Sequence, residues 1–177
     1  HSCRRDGAPA TIMIATAVHR EANDEELIGR VLCHDIRGNR NEIVFRKGHT
    51  LRAEDLPLLS EALWTEIHLI ELGPEDVGQR EAGQRLAGSL SSDGLPALPS
   101  GHRHVLKARH NGLVRIDVGA LQRLNSVPGI AVYTLLDGQV AAEDQIVAEA
   151  QITPLVIERR SIESAAEIAG VAGSVIH

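Results

Sequence analysis

The sequence predicts an α+β chain of short helices and small, β-barrel-like or β-clip-like sheets. Apolar residues recur in short runs of period two and in short runs of period near 3.6, and neither pattern is sustained. Gly, Pro, Asn and Asp divide these runs at close intervals. The 177 residues include three aromatics, Phe45, Trp64 and Tyr133, so the core has to be built from Ala, Val, Ile and Leu.

The first apolar run, residues 11–18 (TIMIATAV), predicts a buried strand after a frayed start. Asn23-Asp24 opens a short acidic helix over residues 23–28, and Gly29 stops it. Residues 30–36 (RVLCHDI) follow as a strand. Gly38-Asn39 turns the chain into a second strand over residues 42–45, and Lys47-Gly48 turns it again. Residues 53–64 form a helix with Leu56, Leu59 and Leu63 on one stripe, and Pro57 falls in its first turn, where a missing N–H costs little. Residues 65–72 (TEIHLIEL) alternate as a strand of ambiguous facing. After the break at Gly73-Pro74, residues 75–90 read as a surface helix with Ala82, Leu86 and Leu90 at spacing four.

Residues 91–101 (SSDGLPALPSG) are rich in Ser, Gly and Pro and read as a linker or long loop. They separate an N-terminal α/β subdomain, residues 1–90, from a C-terminal β-rich subdomain with a terminal helix, residues 102–177. In the latter, residues 104–106 and 113–116 are expected to form a hairpin around Asn111-Gly112. Asp117 caps a helix that ends at Asn125. Residues 130–135 are a strand, Asp137-Gly138 a turn, and residues 145–152 (QIVAEAQI) a cleanly alternating strand ended by Pro154. Residues 161–169 form a last helix, after which the chain runs out.

Acidic residues outnumber basic ones 24 to 18, a formal net charge of -6, which excludes a nucleic-acid module held by bulk charge. Three aromatics are too few for a base-stacking platform. The longest apolar run is far short of the roughly 20 residues needed to cross a bilayer, so no membrane partner is expected. Arg4-Arg5 precedes that run, but Asp6 and Pro9 interrupt any signal-like pattern. Two cysteines, Cys3 and Cys33, permit at most one disulfide and fit a reducing cytoplasm.

Nine histidines raise the question of a metal. His102, His104 and His110 could share an ion, but no Cys or paired carboxylate stands at ligand spacing beside them, so solvated loop histidines are expected and no metal. His34 and Asp35 are neighbours in a strand and point to opposite faces, which weakens an acid–base pair. No nucleophile signature, P-loop or G-x-G-x-x-G occurs, and no Lys follows Lys107, so a swinging-arm carrier is excluded and no catalytic residue is assigned. Arg103, Lys107 and Arg109, with His102 and His104 nearby, are a candidate site for an anionic ligand. Lys47 and His49 stand on a possible second edge.

The order and spacing of several segments resemble the N-terminal half of the molybdopterin-binding proteins related to molybdopterin molybdotransferases. These segments are residues 29–36 (GRVLCHDI), 46–56 (RKGHTLRAEDL) and 74–90 (PEDVGQREAGQRLAGSL), then Arg103, Ala108 and Gly112, Asp117, Leu124-Asn125, and the strand pair over residues 138–154. Gln79 and Gly83 stand where the family has Glu and Ala, and Val105 where an Asn is usual after Arg103. The resemblance implies an accessory region in molybdenum-cofactor biosynthesis, not catalytic alone, within a chain about twice as long. The Gly-rich domain of that longer chain would hold the molybdopterin. It further implies a small anionic pterin or phosphate as ligand and a homodimer. A rival expectation is a free-standing ligand-binding module of the antifreeze-like (SAF) type, suggested by residues 47–51 (KGHTL) ahead of the Ala53 helix.

Overall fold

The computed structural model describes residues 15–21, 23–171 and 175–177. They form an α+β fold of short helices and small antiparallel sheets around two main hydrophobic cores, and no sheet closes into a barrel among the described residues.

The first core is gathered by residues 15–70. β1 (Ala15–His19) is an edge strand that buries only Val18, so the predicted strand at residues 11–18 is less deeply set than expected; residues 11–14 and Cys3 lie outside the described residues. α1 (Asp24–Leu27) gives way to Gly29 at φ +82, a left-handed stop that glycine adopts without a Cβ penalty. The strand predicted over residues 30–36 is two pieces, β2 (Val31–Leu32) and β3 (Ile36–Arg37), separated by a bend. β3 and β4 (Ile43–Phe45) make the expected hairpin. The chain reverses at Gly48, and residues 48–51 then run back along 29–32. Gly48 N–H donates to Leu32 O (2.7 Å), Leu32 N–H to His49 O (3.0 Å) and Leu51 N–H to Arg30 O (2.9 Å).

A 3-10 turn at Ala53–Asp55 leads into α2 (Leu56–Glu61), which stops short of the predicted end, so Leu63 leaves the apolar stripe and is exposed. β5 (Glu66–Ile70) is the middle strand of a three-stranded sheet in the order β1-β5-β2. Its alternation settles the facing: Ile67 and Leu69 are fully buried, while Glu66 and His68 face solvent.

The second core takes over at β6 (Asp76–Gly78) and α3 (Gln79–Leu90). α3 is not a surface helix. Gln79, Ala82, Gly83, Leu86, Ala87 and Leu90 form a buried face, and small residues on it let the helix lie close to the sheet. Nor are residues 91–101 all loop, because β7 (Ala97–Ser100) is an edge strand. The division between cores therefore falls near Gly73-Pro74 rather than at residues 91–101. β8 (Arg103–Lys107) pairs with β7, not with residues 113–116; β9 (Gly112–Leu113) instead pairs with a later strand. Asn111 spends its side chain accepting the Glu143 N–H (2.8 Å), so the expected Asn-Gly hairpin does not form.

α4 (Val118–Asn125) is capped as predicted, Asp117 Oδ1 accepting the Ala120 N–H at 2.8 Å. β10 (Ile130–Thr134), β11 (Val140–Ala141), β12 (Ile146–Ile152) and β13 (Val156–Glu158) follow, then α5 (Arg159–Val171). The main sheet has the order β10-β12-β8-β7. Its inner face (Val132, Ala148, Ala150, Ile152, Leu106) is buried, with α3 packed on β8 and β12 and α5 packed on α3. The chain end is no loose tail: Val175 and Ile176 are fully buried, and Arg115 and His177 exchange backbone hydrogen bonds of 2.6 and 3.0 Å.

Leu106 is fully buried at the centre of the main sheet, whereas Leu136 is 77% exposed. Leu106→Ala is expected to cost about 2–5 kcal/mol and Leu136→Ala less than about 0.5 kcal/mol, read by urea unfolding.

Candidate functional site

Where the two cores meet, a cleft of about 680 Å³ opens between the turn after β4 and the start of α3. One bank carries Asp35, Phe45, Arg46, Lys47, Gly48 and His49. The other carries Gln79, Arg80, Gly101, His102 and His104.

Local bonding fixes the first bank. Asp35 Oδ1 accepts the Lys47 N–H (2.8 Å), which ties the turn back onto the preceding strand. Gly48 sits at φ +79, and a Cβ there would come within 2.9 Å of Gln79 Oε1, so both conformation and space demand glycine. His49 donates from Nε2 to Asp55 Oδ2 (2.8 Å), and its ring lies 5.1 Å from that of Phe45. Burial acts to raise the Asp55 pKa, but the hydrogen bonds from His49 and the Arg52 N–H, with the nearby His49 and Arg52 charges, outweigh it and hold the carboxyl below its ordinary range.

On the second bank, Gln79 is 8% exposed and donates from Nε2 to Ile152 O at 2.7 Å, which satisfies a buried amide. An ionised Glu at this position could not make that donation. His104 projects from β8 onto α3, where Gly83 makes room for it: a Cβ at Gly83 would lie 3.1 Å from Cε1 and 3.2 Å from Nδ1 of the imidazole. The Nδ1 atom is buried with no hydrogen-bond partner. Desolvation, with the Arg80 charge adding to it, pushes the His104 pKa down and keeps the ring neutral at pH 7.

The sequence-predicted anion residues do not form one cluster. Lys47 and His49 reach the cleft. Arg103 and Lys107 alternate with Leu106 and His104 along β8 and so point to the opposite face of the sheet, where Arg103 donates to Glu149 Oε2 (2.8 Å). Arg109 lines a second groove of about 600 Å³ with Ser92, Asp93 and Pro99, which shares His104 with the cleft. His34 lies outside the cleft with its ring 5.7 Å from that of His68, while its neighbour Asp35 lies inside. Cys33 is a free, half-buried thiol whose pKa burial pushes up. Gln79 and Arg80 were not singled out as site residues from sequence. A polar residue at the head of a stripe containing Gly83 and Ala87 was the available signal that a helix start lies against other chain segments.

A family described as a domain of unknown function, DUF8806, matches residues 22–71, the stretch that holds nearly all of the first core. No curated protein and no solved structure matches the chain.

Gly83→Ala is expected to destabilise by about 1–3 kcal/mol, because the new methyl meets the His104 ring. In a His104→Ala background the same change should be neutral or stabilising. Gly88→Ala, on the same helix with open space around it, should stabilise by about 0.5–1 kcal/mol. Thermal unfolding of the four variants checks the pattern.

The lowered Asp55 pKa also sets a pH dependence. A carboxyl whose pKa is lower folded than unfolded adds stability above its unfolded value, about 3.9, and loses it as pH falls through the folded value. Asp55→Asn should therefore lose stability relative to the parent at pH 7, and the gap should shrink below about pH 4 in denaturant melts at each pH.

Proposed function

We propose that this chain is the accessory N-terminal region of a molybdopterin-binding protein of molybdenum-cofactor biosynthesis, not catalytic by itself, and that its cleft takes a small anionic pterin or phosphate. The observation that carries this reading is a basic cleft on a net acidic chain. Arg46, Lys47 and Arg80 line it, against one carboxylate, Asp35, that is already engaged by the Lys47 N–H. Its volume of about 680 Å³ is of small-molecule size. The start of α3 opens on it with Gly78 as N-cap, which offers no side-chain acceptor, so the helix end adds to the attraction for an anion.

The residues fit the charged end of a pterin phosphate better than its ring. Arg and Lys donors suit the phosphate, and the flat surfaces within reach are His102, His104 and the Phe45–His49 pair. Their part is to bind and orient, and the metal chemistry of molybdopterin belongs to the group itself in the full-length protein. A homodimer and a cytoplasmic setting complete this reading; the free Cys33 thiol fits a reducing compartment. Nucleic acid and membrane are not among the proposed partners.

A second reading, a ligand-binding module of the antifreeze-like type, draws on the separate core of residues 18–69 and its coincidence with the matched stretch at 22–71. Calorimetric titration with a pterin phosphate distinguishes the two. Under the first, Lys47→Ala and Arg80→Ala each weaken binding at least about tenfold and Arg103→Ala leaves it unchanged. Under the second, Arg80→Ala has no effect. Equal affinity in the parent and both cleft variants would remove the cleft as the site.

A further inference from the structure

His104 is the one residue that lines both the cleft and the second groove. Its ring lies between β8 and α3, seated over Gly83, where a Cβ would come within 3.2 Å of Nδ1. Nδ1 is buried and, among the described residues, has no hydrogen-bond partner. Such a seat suits a neutral imidazole, which can keep its single proton on Nε2 and leave Nδ1 bare. An imidazolium carries a proton on both nitrogens, so the buried Nδ1–H would become a donor without an acceptor, and the ring charge would be held there with it.

The charges around the ring do not relieve that cost. α3 brings Arg80, whose charge opposes a second cation. The cleft side brings Arg46, Lys47, His49 and His102, while its carboxylate, Asp35, already accepts the Lys47 N–H. Directly across from His104 on the neighbouring strands stand Pro99 and Ala150, which do not titrate. The groove has Asp93 as its carboxylate, with Arg109 in the same lining, so a cation is opposed least on that side.

We propose that His104 is a proton-operated latch on α3: once protonated, its ring leaves the seat over Gly83 and turns into the groove, so that cleft and groove open onto one another. The latch works whatever the cleft binds. Burial, with the Arg80 charge adding to it, already lowers the His104 pKa. A histidine whose pKa is lower folded than unfolded adds stability above its unfolded value, about 6.5, and loses it as pH falls through the folded value. The ring therefore stays seated at neutral pH and is released in acid.

The test follows the histidine ring and backbone amide signals of the full chain by NMR from about pH 8 to about pH 4.5. The amides of residues 83–87 on α3 are expected to shift together with the His104 ring, on one curve whose midpoint lies below that of the exposed His102. In Gly83→Ala the new methyl fills the seat and the ring is already out, so its midpoint returns to about 6.5 and the α3 amides lose their acid-dependent shift. His104→Leu, which carries no proton, loses the same transition, and Arg103→Ala keeps it. A His104 ring that titrates while the α3 amides stay still overturns the latch, as does a transition that survives Gly83→Ala and His104→Leu unchanged. Loss of the far-ultraviolet helix signal at the same midpoint also overturns it, because the chain would then be unfolding.

Discussion

The molecule turns on one buried amide. Gln79 begins α3 at the place where the two cores meet, and each end of its side chain meets a different part of the chain: Nε2 donates to Ile152 O at the end of β12, and Oε1 lies against Gly48 in the turn after β4. A buried amide is costly unless bonded, so this residue locks the start of α3 to the sheet. The closeness of Gly48 brings the KGH turn to the same point. The cleft is the space left between them, and its basic lining follows from that meeting. Lys47 and His49 flank Gly48, Arg80 follows Gln79, and His104 comes from the strand that α3 covers.

The same closeness explains why the interior uses small residues where a larger core would use rings. Gly83 accommodates the His104 ring, and Ala82, Ala148 and Ala150 let α3 approach the sheet. With three aromatics in the chain, interdigitation of Leu, Ile and Val over Ala and Gly supplies the density that large side chains supply elsewhere. Phe45, the one aromatic among the buried residues, lines the cleft.

Much of the local structure was legible in the sequence. Asp117 as a cap, the turns at Gly29, Gly48 and Gly138, the alternation of residues 148–152 and the helix at the chain's end all follow from side-chain chemistry acting over a few residues. Pairing over long distances was not legible. β8 takes β7 and β12 as neighbours rather than residues 113–116, and residues 175–177 close against Arg115, because sheet partners are chosen by burial across the whole core and not by the nearest turn signal. The burial of α3 was missed because half of its inward face is Ala and Gly, which carry little hydrophobic signal, and its head is the polar Gln79. Lys47 and His49, expected on a possible second edge, line the cleft. Arg103, expected in a separate basic cluster with Lys107 and Arg109, lies on the other face, since alternation along β8 turns its side chain onto Glu149.

A cleft with two banks held together at Gln79 is most directly tested by mapping amide chemical shifts of the full chain during titration with inorganic pyrophosphate. Shifts that appear together, with one saturation curve, at residues 46–49, 79–80 and 101–104 are the predicted result. Shifts confined to one bank, or centred on Arg103, Lys107 and Arg109 at the outer face of β8 and beyond, would contradict the account.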